Sequence, residues 1–415
     1  MKIELPLEPI IIKNRDFQTI QVRVLFPFQE EEKDLAKITL LPSMLMYMTK
    51  ELDTEEKFQK ARKNNYILGT NCSKTIIGTT GAFCFNMIIP DTYSLGFDHL
   101  EEQFSFLGKM IYEPWVDDNG FNKFELEREK ANLKIGLENA MKKLTFYQTI
   151  KSLEIIDDEN ILSRGVENHQ EQIDEVNSKN LYDFYLKHIK NNQPIVFVMG
   201  NVDKDKINEL TKKYLYRTDK DKISFKKNYE HFLKPKNTEV NIVNEKSEFL
   251  DSGISFLYKV QDMTKDDFIY LGIVKGLLGS LSSRLLNKKL RDEYDLIYSS
   301  RIADYANFGV FTITTYINRD NKDLVIEKVM EVMEELKSIE IITPLLENIK
   351  ERRRINLIKN LDNKYSILDD CMLSKLEIDL TRKEIYEKIK KITALDVAKF
   401  VDRLKLDTIY FVEEK

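Results

Sequence analysis

The residues best suited to metal binding or acid–base chemistry are the four histidines, His99, His169, His188 and His231. No two of them are spaced to share one face of a helix, whereas a catalytic zinc needs about three protein ligands and an open position. His99 is followed closely by two glutamates, but this is only a fragment of a ligand pattern. We therefore interpret the histidines as surface or boundary residues and expect no metal site on this chain.

The signatures of other catalytic chemistries are missing from the sequence. It contains no GxSxG elbow, no GxxxxGK[ST] phosphate loop and no GxGxxG fingerprint. Acidic residues do cluster at Glu125, Glu127 and Glu129. On a helix Glu125 and Glu129 would share a face and Glu127 would point away, with Arg128 and Lys130 interleaved. This pattern favours a solvated, ion-paired helix face over a pair of catalytic carboxylates.

A run of three arginines at 352–354 suggests a contact with nucleic acid. Glu347 and Glu351 precede the run, however, and no aromatic residues are interleaved with it to stack on bases. The chain carries a formal net charge of −5, so it has no long-range attraction for polyanions. A charged helix exterior, or an inward-facing patch that binds the acidic groups of a peptide, explains the run better.

The composition is that of a globular protein. A chain of 415 residues, 42% hydrophobic, is long enough for more than one core. Residues 1–12 contain acids and prolines where a secretory signal would be apolar, and the longest apolar run, 38–48, is too short to span a bilayer. Cys72, Cys84 and Cys371 form no disulfide or metal framework, so we expect buried, unreactive thiols and predict a cytoplasmic protein.

Two passages read as copies of one unit. Residues 173–200 and 389–412 each run from a cap through a short amphipathic helix into an apolar strand. The predicted caps are Asn177 or Ser178 in the first passage and Thr393 in the second. A helix–strand unit near the end of each half predicts two like domains.

The natural boundary between the halves is the stretch 217–238, which is rich in Lys, Asp and Asn and has little apolar periodicity. We therefore predict a first domain at 1–216, a linker at 217–238 and a second domain at 239–415. The second half restarts at 239–244, whose alternation of polar and apolar residues suits a half-buried strand.

Each half mixes strands with long helices. In the first half the predicted strands are 19–26, 66–75, 83–89 and 195–199, and the predicted helices are 121–144 and 180–190. In the second half, 309–316 has the pattern of a strand, and residues 326–336 carry the apolar face of a helix. Strands and helices that run in blocks favour an α+β fold with mostly antiparallel sheets over a parallel βαβ stack.

One segment is similar to a known family. Residues 279–300 begin with a small-residue turn, continue as an amphipathic helix that ends near Arg291, and bring Tyr298 into an extended segment. This resembles the second-domain signature of the insulinase (pitrilysin-like) zinc peptidases. The segment 124–138 is similar to the family's Phe-x-x-Glu-Lys-x-x-Val-x-x-Glu helix. The likeness covers nearly the whole chain, and it is greatest to the bacterial YmfF-type members, which lack a zinc motif.

The chain departs from the family at the zinc motif. Active members carry His-x-x-Glu-His on their first long helix, which matches the helix from Ile38 here. The resemblance places the two His positions near Thr39 and Ser43 and the Glu near Pro42, and it places the later Glu ligand on Lys134. Hydroxyls, a proline and a cation are poor replacements for zinc ligands and a general base. The resemblance therefore implies a degenerate zinc site and no catalytic residues on this chain.

The resemblance also implies that Arg291 and Tyr298 contact a bound peptide. A guanidinium and a phenol can donate hydrogen bonds to a carbonyl oxygen that gains negative charge as water attacks. The alternative for these two residues is an ion pair of Arg291 with an acid such as Glu293 or Asp295, and simple packing of Tyr298.

The expected function is that of a non-catalytic subunit of a heterodimeric zinc-dependent peptidase. Two insulinase-type domains, each a mostly antiparallel sheet packed with helices, would form half of a clamshell, with no activity from the single chain. A zinc-bearing, HxxEH-containing paralogue would supply Zn²⁺, and both would process a peptide substrate. A sheet edge of the first domain would extend the peptide by strand addition. The alternatives are a structural scaffold, as in respiratory-complex core subunits of this fold, and an RNA-associated factor, which the net charge disfavours.

Overall fold

A computed structural model describes residues 2–29, 31–46, 48–78, 80–117, 120–157, 161–217, 222–226, 231–235, 239–279, 285–377 and 379–415. The chain forms two compact units. The first consists of Met1–Leu137 and Arg164–Tyr229, and the second of Glu138–Ser163 and Glu230–Lys415. In the described part of the chain, no helix combines the length and the apolar character that crossing a bilayer requires.

The helices and strands are numbered in chain order. Up to residue 141 they are β1 (Lys2–Pro6), β2 (Ile10–Lys13), β3 (Thr19–Phe28), α1 (Leu35–Met44), α2 (Glu55–Asn64), β4 (Gly69–Ile77), β5 (Thr80–Pro90), α3 (Thr92–Leu95), α4 (Leu100–Tyr112), β6 (Val116–Asp117), β7 (Gly120–Phe121) and α5 (Lys123–Met141). Up to residue 260 they are α6 (Leu144–Ile156), α7 (Glu171–Glu175), α8 (Ser178–Tyr185), β8 (Ile195–Gly200), α9 (Lys204–Tyr214), β9 (Lys222–Lys226), β10 (Asn241–Lys246) and β11 (Ser252–Val260). The remainder are α10 (Phe268–Gly279), α11 (Leu285–Asn287), β12 (Ile297–Tyr305), β13 (Val310–Ile317), α12 (Lys322–Glu335), α13 (Ile339–Leu361), α14 (Lys364–Met372), α15 (Arg382–Lys391), α16 (Ala394–Val401) and β14 (Leu404–Glu413).

The main sheet of the first unit has the strand order β2-β8-β3-β5-β4. β3 is antiparallel to both β5 and β8, β4 is antiparallel to β5, and β2 runs parallel to β8. All six residues of β8 are buried, as expected of an apolar central strand. The core contains residues of this sheet and of α1, α4 and α8, among them Phe26, Phe85, Leu41 and Phe104.

The main sheet of the second unit repeats this arrangement. Its order is β10-β14-β11-β13-β12, with β10 parallel to β14 and the other neighbours antiparallel. α10, α12, α13 and α16 supply core residues on one face, including Leu277, Val329 and Val397. The prediction of two like α+β domains with mostly antiparallel sheets is confirmed. Each sheet also contains one parallel pair at an edge of its described strands, which the block-like order of elements did not predict.

The two predicted helix–strand copies occupy equivalent places. Asn177 and Thr393 are the N-caps of α8 and α16, and each forms a capping box with the residue three positions later. The strands that follow, β8 and β14, lie next to the parallel edge strand in their sheets. The caps and strands were therefore predicted correctly, because both depend on local sequence.

Some element boundaries differ from the prediction for identifiable reasons. The strand expected at 66–75 begins at Gly69, because Tyr66 has a positive φ of 54° that a strand cannot accommodate. The single helix expected at 121–144 is α5, which ends at Met141, followed by a new helix, α6. α6 contacts β11 and β14 and belongs to the second unit. The stretch 217–238 includes β9, which pairs with β1.

Candidate functional site

Tyr298 lies in β12, which is at the edge of the second sheet among the described strands. In the pairing with β13, Ile297 is opposite Ile317 and Ser299 is opposite Tyr316, so Tyr298 is the extra residue of a β-bulge. Ile297 is buried, whereas Tyr298 is 65% exposed. The bulge therefore interrupts the ladder where the phenol reaches solvent, and Tyr298 does not simply pack against the core.

Arg291 lies in a π-helical turn, Lys288–Glu293, that continues α11. Its Nε donates a hydrogen bond to Asp292 Oδ1 at 2.9 Å, and its side chain is 41% exposed. The ion-pair partner is thus Asp292 rather than Glu293 or Asp295. An exposed pair of this kind contributes about 0–1 kcal/mol, so the guanidinium can exchange its partner for a ligand at small cost.

The turn that joins Arg291 to β12 is held by backbone hydrogen bonds. The Asp295 N–H donates to the Arg291 carbonyl at 3.1 Å, and the Leu296 N–H donates to the Leu290 carbonyl at 2.7 Å. Asp295 adopts a positive φ of 53°, a conformation that Asp tolerates better than most residues. Leu290 and Leu296 are both buried. Buried leucines at both ends of the turn therefore anchor the two exposed side chains that flank it.

Thr39, Pro42 and Ser43, which the resemblance assigns to the degenerate zinc motif, lie on α1. The Thr39 hydroxyl donates to the Leu35 carbonyl at 2.9 Å, so its proton is used within the helix. Pro42 is buried inside the helix, and Ser43 is half-buried. Zinc in proteins prefers imidazole, thiolate and carboxylate ligands. Thr39, Pro42 and Ser43 offer none of these, so the residues present do not fit a zinc ion.

The guanidinium group of Arg128 lines the same small cavity as Ser43. Ser43 lines a cavity of about 20 Å³, room for about one water molecule, together with Glu125, Arg128 and Glu129 of α5. Arg128 Nη2 is 2.5 Å from Glu125 Oε2 and 3.3 Å from Glu129 Oε1. Glu125 is only 9% exposed, so the expectation of a solvated face was wrong for this residue. Glu125 and Glu129 do share a face, and the guanidinium of Arg128 pairs with both.

Lys134, the position expected for the later ligand, is not among the residues that line this cavity. Its Nζ is 2.6 Å from Asp174 Oδ1 on α7, and this contact lowers the pKa of Asp174 below its ordinary value. Within the described residues, no group of three or more His, Cys, Asp or Glu side chains could hold a metal ion. Among the described residues, Cys72, Cys84 and Cys371 form no disulfide bond, and burial raises the pKa of Cys72 well above its ordinary value.

The first unit also presents a strand edge. β4 is paired on one side with β5 and has no further partner among the described strands. Most of its residues are half-buried, Asn71 and Ile76 are exposed, and Cys72 and Ile77 are buried. Such an edge leaves backbone N–H and C=O groups free to pair with an added strand.

Three comparisons relate this chain to known proteins. Residues 175–352 match the family model described as "Peptidase M16 inactive domain". The chain is 20% identical over 412 residues to "Probable inactive metalloprotease YmfF" of Bacillus subtilis (strain 168). The alignment covers 97% of this chain and 95% of that protein.

Two solved structures share the fold over nearly their whole length. A conserved protein from Enterococcus faecalis V583 has a TM-score of 0.88 at 20% identity, covering 100% of this chain and 99% of that chain. A peptidase M16 inactive domain from Pseudomonas fluorescens has a TM-score of 0.75 at 12% identity, covering 98% of this chain and 95% of that chain. At these identities the structural likeness concerns the fold.

Proposed function

We propose, from its membership of the insulinase-like M16 proteins, that this chain is the non-catalytic subunit of a heterodimeric zinc-dependent peptidase. The membership itself, predicted from residues 279–300 and 124–138, is confirmed by the match to the M16 inactive domain and by the likeness to an inactive metalloprotease over nearly the whole chain. The proposal goes further, because it assigns a partner, a substrate class and a role to two residues.

The observation that carries the proposal is the contrast between the two units. In the first unit, Thr39, Pro42 and Ser43 of α1 do not suit a metal, and Arg128 pairs with the nearby carboxylates of Glu125 and Glu129. In the second unit, Arg291 and Tyr298 are exposed at either end of an anchored turn. The subunit would therefore bind peptide and leave hydrolysis to its partner. Zn²⁺, its ligands and the general base would come from a HxxEH-bearing paralogue, and the complex would process peptides in the cytoplasm.

The two exposed side chains have a defined chemical role in this proposal. When water attacks a peptide carbonyl, its oxygen gains negative charge, and donors placed beside it stabilise the transition state more than the ground state. The Tyr298 hydroxyl and the Arg291 guanidinium would supply such hydrogen bonds. The edge of β4 would hold the peptide as an added strand, so that binding and positioning are shared along the chain.

The test is cleavage by the reconstituted complex. The chain is co-expressed with a zinc-bearing paralogue, and kcat/KM for a quenched fluorescent peptide is measured with Arg291→Ala and Tyr298→Phe. Loss of one transition-state donor lowers the rate about 100-fold or more at a well-formed site, so we expect a decrease of at least about tenfold for each variant.

Matched controls come from the same unit. Arg319→Ala removes another exposed arginine that pairs with the next residue, Asp320, at 3.8 Å. Tyr294→Phe removes the hydroxyl of an exposed tyrosine from the turn itself. Both should retain full activity. If Arg291→Ala and Tyr298→Phe leave turnover unchanged while the complex still forms, the chain acts as a scaffold, and the proposed contact with substrate is wrong.

A further inference from the structure

A cleft of about 580 Å³ lies within the second unit, between α10, β12 and α13. This volume is within the range of ordinary ligand sites. Lys275 contributes from α10, Asp304 from β12, and Arg352, Arg353 and Asn356 from α13. The arginine run that stood out in the sequence therefore reaches a concave surface beside the strand that carries Tyr298.

The charges in the cleft are not balanced. Lys275 Nζ and Asp304 Oδ1 are 2.7 Å apart and neutralise each other. Arg353 Nη2 makes a long contact of 3.5 Å with the Gly272 carbonyl, and no carboxylate among the described residues forms an ion pair with Arg352 or Arg353. Asp304, the only carboxylate among the described residues that line the cleft, also attracts Arg353, but it is paired with Lys275, so the two guanidinium groups leave an excess of positive charge in the lining.

The third arginine of the run behaves differently. Arg354 donates to both carboxylate oxygens of Glu351, at 2.8 and 2.6 Å, and does not line the cleft. The same helix thus offers two arginines that point to the cleft and one that is already bound to an acid on the outer surface.

The floor of the cleft is formed by close packing of α10 on its neighbours. A Cβ at Gly276 would lie 2.8 Å from Ile349 Cδ1, and a Cβ at Gly272 would lie 3.3 Å from Arg353 Nη2. Side chains at these two positions would push α13 away or displace the guanidinium. The glycines therefore allow Arg353 to lie against the α10 backbone, where its position is restricted.

The cleft shares the strand β12 with Tyr298 of the candidate peptide site. Ser300, Ile302 and Asp304 alternate along β12 and all line the cleft. Tyr298 and Asp304 are six residues apart on this strand, roughly 20 Å at about 3.3 Å per residue. A peptide of ordinary length that contacts Tyr298 can therefore reach the two arginines.

We propose that this cleft binds the carboxylate groups of a peptide, through Arg352 and Arg353, and so selects acidic peptides. The assignment rests on the proposed peptide-binding function and names its substrate class. Planar guanidinium groups match a carboxylate with two parallel hydrogen bonds, which an ammonium group cannot do. Asn287, Ser300 and Asn356 supply polar groups around the bound carboxylate, whose charge offsets the excess of positive charge in the lining.

The experiment measures peptide binding by the purified full chain with no partner present, so that it does not depend on cleavage. The probes are two short peptides of equal length that carry the same uncharged fluorescent dye, a BODIPY, both amidated at the C-terminus, with Glu-Glu or Gln-Gln at the centre. A third probe carries Gln-Gln and a free C-terminal carboxylate. Fluorescence anisotropy gives the dissociation constants, and the third probe separates a side-chain carboxylate from a terminal one.

We expect at least one carboxylate-bearing probe to bind about tenfold or more tightly than the neutral amide, and its affinity to decrease with added salt. Arg352→Gln and Arg353→Gln should each remove most of this preference, and Arg352→Lys should restore only part of it. Arg354→Gln is the matched control, and it should change the affinity less than about twofold because that arginine is bound to Glu351.

Three outcomes would overturn the assignment. They are equal binding of charged and neutral probes, an Arg354→Gln effect as large as that of Arg353→Gln, and no binding of any probe. If Arg291→Ala abolishes cleavage by the complex but the probes show no preference for carboxylates, the proposed function stands and the acidic substrate class is wrong.

Discussion

The environment of His188 predicts that the first unit loses stability in mild acid. The imidazole lies in the π-helical turn Leu186–Lys190, with its centroid 4.4 Å from the ring of Phe184 and 5.8 Å from that of Phe28. Its Nε2 is buried and has no hydrogen-bond partner among the described residues. Desolvation of the charged form lowers the pKa of His188 from 6.5 to about 4.

Charged neighbours do not reverse this shift. The residues that act on the ring are Lys187 and Lys37, which lower the pKa, and Asp34 and Glu31, which raise it. Lys37 is itself paired with Asp34 at 2.7 Å, and Lys187 with Glu31 at 3.3 Å. Because the neighbouring charges pair with one another, desolvation remains the largest contribution.

The sign and size of the effect follow from the two pKa values. The folded state holds His188 neutral down to about pH 4, whereas the unfolded chain takes up a proton below about pH 6.5. The contribution to stability is therefore complete above pH 6.5 and is lost as the pH falls towards 4. At pH 5 the difference is about 2 kcal/mol, and below pH 4 it reaches about 3 kcal/mol.

The assay compares the wild type with His188→Phe, which keeps an aromatic ring and cannot titrate. The single tryptophan, Trp115, lies in the first unit, so its fluorescence in urea reports the unfolding of that unit. Carboxylates titrate in the same pH range, but they do so in both proteins and cancel in the difference. Between pH 7.5 and pH 5 the wild type should lose about 2 kcal/mol more than the variant. The reasoning would be refuted if the free energies of unfolding of the two proteins fell by amounts that differ by less than about 0.5 kcal/mol over this pH range.

Three further predictions concern stability and metal. Lys259 and Asp407 form an ion pair of 3.0 Å, and both side chains are nearly inaccessible to solvent. Lys259→Met should therefore lower the free energy of unfolding, measured by circular dichroism, by about 3–5 kcal/mol. The control Lys405→Met, at an exposed site, should lower it by less than about 0.5 kcal/mol. Thr393 accepts a hydrogen bond from the Asp396 N–H at 3.2 Å as the cap of α16, so Thr393→Ala should cost about 1 kcal/mol in the same measurement. Because the α1 residues do not suit zinc, EDTA should leave the melting temperature of the single chain unchanged, and a decrease of several degrees would show that a metal contributes to its stability.

The parts of the fold that the sequence predicts are those set by local signals. The apolar runs gave β3, β5, β8 and β13 to within a few residues, because burial of a strand requires a continuous or alternating apolar pattern. The caps at Asn177 and Thr393 were identifiable because each is followed three residues later by a residue that completes a capping box.

The parts that sequence reasoning missed depend on contacts between distant residues. Glu125 reads as one more charge on a solvated helix, and only its packing against the α1 region makes it buried. The bulges that hold Tyr298 and Asp407 depend on the pairing register of β12 with β13 and of β14 with β11. The alternation of side chains along one strand does not reveal where an extra residue is inserted. A bulge can therefore be identified only from the pairing of that strand with its neighbour.

For the arginines at 352–354, the local sequence predicts which side chain forms an ion pair within the helix, and only the packing of the helix shows where the others lie. On a helix, the acid that can pair with an arginine lies three or four residues away. The residues three positions earlier are Glu351 for Arg354, Lys350 for Arg353 and Ile349 for Arg352, and Lys350 is itself paired with Glu347. The sequence therefore distinguishes the paired arginine from the two that lack a local acid. The local sequence does not show where those two arginines point, because the cleft depends on glycines of α10 that let α13 and β12 approach that helix closely. Replacing Gly272 with leucine should therefore displace Arg353 and weaken carboxylate binding about as much as Arg353→Gln does, although no charge is removed.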